Sequence, residues 1–246
     1  MAQARSRGSK SAAGAPHVSG RNHLLELLPE ADRARLMQKM EHVSAVHRTY
    51  VFKRHEPISH VHFPLSSVVS IVSVMSDGTM IEVGTIGNEG YAGLPLLFGN
   101  TEDSNDGFYQ VPGESLRMPS AKFADELARS APLRRVVQRY AQAFYAQIAQ
   151  TTACNQVHPV ERRLARWILM SHDRVAQKTI LLTQEFLAQM LGVRRPAVSI
   201  VAGTLQKAGL IRYRRGVIEV LDRKALEKAS CECYAAVRDE FERLLC

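Results

Sequence analysis

The side chains with the most chemistry to offer are arginines, gathered toward the C-terminal end. Between residues 162 and 215 the chain holds 11 Lys/Arg against two acids, Asp173 and Glu185. Such a local excess is the footprint of a surface that meets a polyanion. Inside it lies TQEFLAQMLGVRRPAVSIVAGTLQKAGLIRYRRGVIEVL, residues 183–221. Thr183 is a good helix N-cap, and Phe186, Leu187, Met190 and Leu191 form an apolar stripe behind it. Gly192 supplies a tight turn. Pro196 sits near the start of a second helix, where its missing N–H costs nothing. Val198, Val201, Ala202 and Leu205 face inward; Arg195, Ser199 and Gln206 lie opposite, with Arg194 at the entry and Gly209 at the end. Leu210–Tyr213 and Val217–Leu221 then read as two strands around Arg214-Arg215-Gly216, a hairpin with a basic tip.

This pattern predicts a helix-turn-helix followed by a wing, with the second helix in the DNA major groove. Arginines at that helix's start can reach guanine O6 and N7, while a basic wing tip suits phosphates. The candidate DNA-contacting set is Thr183, Gln184, Arg194, Arg195, Ser199, Gln206, Arg214 and Arg215. A helical hairpin packed for stability alone explains neither the paired arginines nor the basic wing.

Other constellations offer less. His55, His60 and His62 lie together, but no cysteine or second ligand run accompanies them, so they read as surface histidines. Cys231-x-Cys233 is too close for a C-x2-C zinc knuckle and has no second pair in sequence. The expectation is no metal and no cofactor, with thiol chemistry at Cys154, Cys231, Cys233 or Cys246 left open. No G-x-S-x-G, P-loop or dinucleotide fingerprint occurs, so an enzyme is not expected.

The elements that must carry this site can be sketched from pattern. The 246 residues, 46% hydrophobic and 23% charged, exclude a mainly disordered or fibrous chain. No run approaches the roughly 18 apolar residues of a membrane span. Residues 1–21 carry Arg5, Arg7, Lys10 and Arg21 with no acid and no apolar core of a secretory signal, which predicts a disordered basic tail and a cytoplasmic protein. Residues 23–41 read as two short helices divided by Pro29. Short β-rich runs follow at Thr49–Phe52, His60–Phe63, Val68–Val74, Met80–Val83 and Ser115–Met118, with Asp77-Gly78 as a hairpin turn. Gly84, Gly87, Gly90 and Gly93, every third residue, suit the corners of a small closed β structure. From Pro132 the next 21 residues hold no Gly or Pro. There Val137, Tyr140, Phe144, Gln147, Thr151 and Cys154 repeat at 3-4-3-4-3 spacing, flanked by Leu133 and Ile148. Periodicity leaves two partners for this face, the helix's own β structure or a second copy. The expectation adopted is a dimer interface of Leu133, Val137, Tyr140, Phe144, Ile148 and Thr151. His158-Pro159 marks a hinge, and Val160–Ser171 reads as an amphipathic helix.

The order of β-roll, long helix, hinge and winged helix-turn-helix resembles the CRP/FNR family of bacterial transcription regulators, most strongly over TQEFLAQMLGVRRPAVSIVAGTLQKAGLI and more loosely in the β-roll. The resemblance covers residues 23–225. It implies an α+β chain: a β-roll (jelly-roll-like) sensor domain over 22–131, a dimerisation helix over 132–154 and a winged helix-turn-helix over 155–225; residues 226–246, beyond the resemblance, are expected to form a helical extension. It further implies a homodimer on a two-fold symmetric operator in double-stranded DNA, with RNA polymerase as partner if it activates. Arg195 matches the family's base-contacting arginine, whereas Pro196 and Ile200 replace two other base-reading residues, so a different operator is expected. The nucleotide-binding members hold the ribose with a Gly-Glu pair and the cyclic phosphate with a downstream Arg. Here Gly90-Tyr91 lacks the acid, and residues 81–116 contain six carboxylates and no Lys, Arg or His. A buried phosphate without a cation faces a large desolvation cost, so cyclic nucleotide sensing is not expected. A ligand-binding or interaction module with a purely structural helix-turn-helix is the alternative.

Overall fold

The computed structural model describes residues 20–175 and 178–245, so the predicted tail lies outside it apart from Gly20 and Arg21, as does Cys246. Two short helices, α1 (His23–Glu26) and α2 (Glu30–Met37), lead into seven strands. These are β1 (Glu41–Ala45), β2 (Tyr50–Phe52), β3 (His60–Pro64), β4 (Val68–Val74), β5 (Met80–Ile86), β6 (Asp106–Val111) and β7 (Gly113–Pro119). They form two antiparallel sheets, ordered β1-β7-β3 and β2-β6-β4-β5, the β-roll expected from pattern. Strands β1 and β6 carry no sequence signal of their own. Strand β1 mixes Glu41, His42 and Ser44 at a sheet edge, and β6 brings Gly107 and Gln110 inside.

Strand β4 shows why the chain needs a nearly unbroken apolar run here. Its side chains alternate across the sheet, and both faces are covered. Val69 and Ile71 enter the core of the roll, while Val68 and Val72 join a second core built with the C-terminal helices. A strand buried on both faces cannot alternate apolar with polar.

After α3 (Ser120–Arg129) comes the long helix α4 (Ala131–Val157). Ser130 caps it by accepting from the Leu133 N–H at 3.1 Å. The helix stops at His158, whose extended backbone precedes Pro159. Helix α5 (Val160–Arg174) follows, then β8 (Thr179–Leu181), α6 (Gln184–Leu191), α7 (Arg195–Lys207), β9 (Ile211–Arg214), β10 (Val217–Val220), α8 (Arg223–Ala229) and α9 (Cys233–Leu245). Strand β8, which has no clear sequence signal, makes the wing a three-stranded sheet in the order β8-β10-β9.

Two expectations need correcting. Of the glycines spaced by three, only Gly93 takes a positive φ, 126°. The others are needed because large side chains press on their backbone. A Cβ at Gly84 would lie 2.8 Å from the Phe144 ring, and at Gly87 and Gly90 it would collide with Arg174 and Tyr140. The row is thus a seam against α4 and α5 as well as a set of corners, since the Gly90 N–H donates to the Gly87 carbonyl at 3.1 Å across a turn.

The second correction follows from the first. Leu133, Val137, Tyr140 and Phe144, expected at a dimer interface, are buried in the protomer's own core. Ile148 packs on the same core partly buried, and Thr151 is half-buried. Tyr140 is stacked at 6.0 Å on Phe144 and tilted at 5.4 Å against Tyr91 of the roll. The apolar stripe thus faces the β-roll, and α9 returns along α4 to cover more of it, with Phe241 6.4 Å from Tyr140.

Candidate nucleic-acid interface

The helix-turn-helix is assembled by local rules. Thr183 caps α6 by accepting from the Phe186 N–H at 3.2 Å. Gly192 closes that helix in the left-handed conformation, φ 61°, and donates to the Ala188 and Gln189 carbonyls. Helix α7 then starts with Arg194 as its cap residue and Arg195 as its first helical one. Val198, Ala202 and Leu205 are buried beneath α7, which fixes the opposite face toward solvent. There Arg194, Arg195 and Pro196 are exposed together, followed one turn later by Ile200 at 71% exposure.

The wing turn is tighter than the sequence suggested. Arg214 pairs with Val217, so only Arg215 and Gly216 form the loop, with φ of 51° and 77°. Two positive φ values in a two-residue hairpin loop are the mark of a type I′ turn. An open groove of about 500 Å³ runs between the wing and the two helices, lined by Thr183, Gln184, Glu185, Arg195, Tyr213 and Arg215. None of Arg194, Arg195, Arg214 and Arg215 is in an ion pair among the described residues, whereas Arg212 beside them is tied to Glu219 at 2.6 Å. Two of these guanidinium groups, Arg195 and Arg215, line the groove together with the Glu185 carboxylate, and Arg194 and Arg214 adjoin them in sequence.

Not every predicted contact is free. Gln206 accepts from the Tyr213 N–H at 2.7 Å, which locks the end of α7 to the wing and uses its carbonyl oxygen. Ser199 donates to Gln184 at 2.5 Å, so these two brace α7 against α6. Tyr213 is a groove residue that the sequence reading missed; its hydroxyl donates to the Leu182 carbonyl at 2.8 Å while its ring lines the groove.

Residues 162–229 match the family described as the Crp-like helix-turn-helix domain. The chain carries a Crp-like helix-turn-helix domain. Over about four fifths of the chain its fold matches that of solved CRP/FNR regulators. FixK2 from Bradyrhizobium japonicum, 13% identical, aligns over 78% of this chain and 98% of its own with a TM-score of 0.66. A CRP-family transcriptional regulator from Thermus thermophilus, 18% identical, aligns over 77% and 96% at 0.63. The c-di-GMP responsive global regulator CLP of Xanthomonas campestris, 17% identical, aligns over 79% and 100% at 0.61. No curated protein matches the chain.

The Crp-like domain is docked on the roll. Phe186 of α6 meets His47 at 5.5 Å and Phe108 at 6.2 Å, edge to face. Beside them Trp167 of α5 donates to Glu82 at 2.6 Å, and Ser70 donates to the other Glu82 oxygen at 2.6 Å. Burial drives this carboxyl up to about 7, although the Ser70 and Trp167 hydrogen bonds and the nearby Arg174 and Arg166 pull the other way. Arg174 joins Glu89 at 2.8 Å and Gln147 at 3.0 Å, linking α5 to the roll and to α4.

A second cavity, about 490 Å³, opens between the roll and α4. Phe52, Ile71, Ile86, Leu94, Phe144 and Ile148 give it an apolar lining, with Glu102 and Asp103 at its edge and no Lys, Arg or His among the lining residues. Arg117 is engaged elsewhere, with Glu41 at 2.5 Å. His62 is buried, its Nδ1 2.8 Å from the Tyr109 hydroxyl, and desolvation holds its pKa down to about 3.

Proposed function

We propose that this protein is a sequence-specific transcription regulator that binds double-stranded DNA as a homodimer on a two-fold symmetric operator, with an effector other than a cyclic nucleotide. The observation that carries the reading is the groove between α7 and the wing, lined by Arg195 and Arg215 and adjoined in sequence by Arg194 and Arg214, none of which has an ion-paired counter-charge among the described residues. A phosphate backbone supplies that charge, and the start of α7 supplies base contact. In this reading residues 22–131 sense, 132–154 pair two chains and 155–225 bind DNA, in the cytoplasm, with RNA polymerase as a further partner of an activator.

Support for pairing comes from the outer face of α4. Gln138, Gln142, Tyr145, Ala149, Thr152 and Gln156 are all exposed, and they repeat at 4-3-4-3-4 spacing. That is a second heptad seam on the side the roll leaves open. The lack of any cation in the lining of the apolar cavity is what disfavours a cyclic phosphate there.

Selection of bound duplexes from a random pool, followed by anisotropy titration of selected and scrambled duplexes, tests the proposal. Arg195→Ala is expected to cost about 1–3 kcal/mol on the selected duplex and to relax preference at one base pair. Equal losses on both duplexes would reduce Arg195 to a phosphate contact. A pool that yields no preferred sequence would make the helix-turn-helix structural only.

A further inference from the structure

The four residues Cys154, His158, Cys231 and Cys233 come from three separate places and converge at one point. Cys154 is in the last turn of α4, His158 is the hinge residue four positions on, and the two remaining cysteines bracket the start of α9. One donor atom from each lies within 4.8 Å of every other. The three cysteines are buried and form a small cluster of their own. Cys154 Sγ is 3.5 Å from Cys231 Sγ, and Cys233 Sγ is 3.6 Å from His158 Nδ1.

We propose that Cys154, His158, Cys231 and Cys233 form a closed tetrahedral site for a zinc ion, which clamps the hinge and the C-terminal helix to the end of α4. The spacing is what such an ion needs. Zn–S bonds of about 2.3 Å and Zn–N bonds of about 2.0–2.1 Å place tetrahedral ligand atoms roughly 3.5–3.8 Å apart. A four-iron cluster would hold its thiolates at the corners of a cube several ångströms wider. All four positions are filled by protein, the arrangement of a structural rather than a catalytic zinc.

The surroundings match a metal-bound charge state. His158 presents Nδ1 to the cluster and Nε2 to the Glu232 carboxylate at 3.2 Å, the histidine–carboxylate relay that orients a zinc-bound imidazole. Gln150 donates an amide N–H to Cys233 Sγ at 3.0 Å. Three thiolates, one neutral imidazole and one Zn²⁺ sum to a single negative charge. Arg166 is buried beside Cys154, has no carboxylate at ion-pair distance among the described residues, and its Nε has no hydrogen-bond partner. Arg163, on the next turn back, is likewise free of carboxylates among the described residues and lies within electrostatic reach of Cys154 and Cys231. A buried cation with no carboxylate at ion-pair distance is costly, and an anionic zinc–thiolate centre offsets that cost. On binding, the three thiols each give a proton to solvent, while His158 keeps its Nε2 proton on the side of Glu232.

The test is metal analysis of the full chain, purified under reducing conditions and then stripped and titrated with zinc and cobalt. Expected are about one zinc per chain as purified, restoration at that stoichiometry, and a cobalt form with thiolate-to-metal absorption and tetrahedral visible bands. Cys233→Ser should lose the stoichiometric metal, and Glu232→Gln should weaken binding by about 10–100-fold while keeping the fold. A soluble wild-type protein that holds no zinc and takes up neither ion would overturn the site, even where Cys233→Ser fails to fold. Iron with acid-labile sulfide, or a Cys154–Cys231 disulfide that persists under reduction, would overturn it equally.

Discussion

Glu82 joins the roll to the Crp-like domain, and its burial makes that joint sensitive to pH. The carboxyl is buried, bonded to Ser70 and Trp167, and held up to about 7 against an ordinary value of 4.5. Between those values the folded protein keeps a proton that the unfolded chain has released. The contribution of Glu82 to stability is therefore fully present below pH 4.5 and is lost as pH rises toward 7. At about 1.4 kcal/mol per pH unit over that interval, the loss comes to about 3 kcal/mol. Glu82→Gln keeps an oxygen for the Trp167 N–H and polar atoms for Ser70 but cannot ionise. Urea unfolding across a pH series from mildly acidic to mildly alkaline should show wild type losing about 3 kcal/mol more than the variant. Groups that titrate in both proteins cancel in the difference. Trp167 is the chain's single tryptophan, so its fluorescence in the folded wild type should also titrate near 7 and that of the variant should not. Parallel stability curves and a flat fluorescence titration would refute the placement of Glu82.

Neutralising both Arg214 and Arg215 should flatten the slope of log affinity against log salt by about two units and leave the preferred site unchanged; an unchanged slope would turn the wing away from DNA. Gly90→Ala puts a methyl into the buried Tyr140 ring and should lower urea stability by about 1–3 kcal/mol, while a midpoint equal to wild type would mean the seam has slack. Cyclic AMP and cyclic GMP should give no calorimetric heat and no change in operator affinity. Micromolar binding abolished by Arg117→Ala would show that this arginine leaves Glu41 to reach the cavity.

What the sequence makes legible is what local rules decide. Thr183, Gly192 and Gly209 punctuate two helices, and the inward set Val198, Ala202 and Leu205 follows from 3.6-residue periodicity, so α6 and α7 can be drawn within a residue or two. The basic tip is equally readable because Arg215-Gly216 is a short-range turn signal. The rest depends on partners distant in sequence. Nothing near Gln206 says that its amide will be taken by Tyr213, and nothing near Gly90 says that Tyr140 will lie on it. The cysteine pair at 231 and 233 reads as incomplete because its other half, Cys154 and His158, sits on the far side of the whole Crp-like domain in sequence. The one local hint is the Cys154-x3-His158 spacing, which puts two ligands on one side of a helix end.

The long helix shows most clearly why apolar periodicity does not name its partner. Helix α4 has two seams. The inner one, through Val137, Tyr140, Phe144, Gln147 and Cys154, is buried and touches the roll, α5 and the cysteine cluster in turn. The outer one alternates glutamine and Thr152 with the small Ala149 and with Tyr145, which is 73% exposed. Hydrophobicity selects the seam that the chain itself can bury, since an intramolecular contact forms without the entropy of joining two molecules. In the proposed dimer a second copy takes the more polar seam, where hydrogen bonding by glutamine gives register rather than strength. The apolar cavity lies where the two seams meet. Phe144 and Ile148 line it from the inner side and Tyr145 from the outer. In the proposed dimer, a molecule filling that cavity would touch both the face of α4 that holds the roll and the face offered to the second chain, and so would bias the spacing of the two α7 helices without approaching DNA.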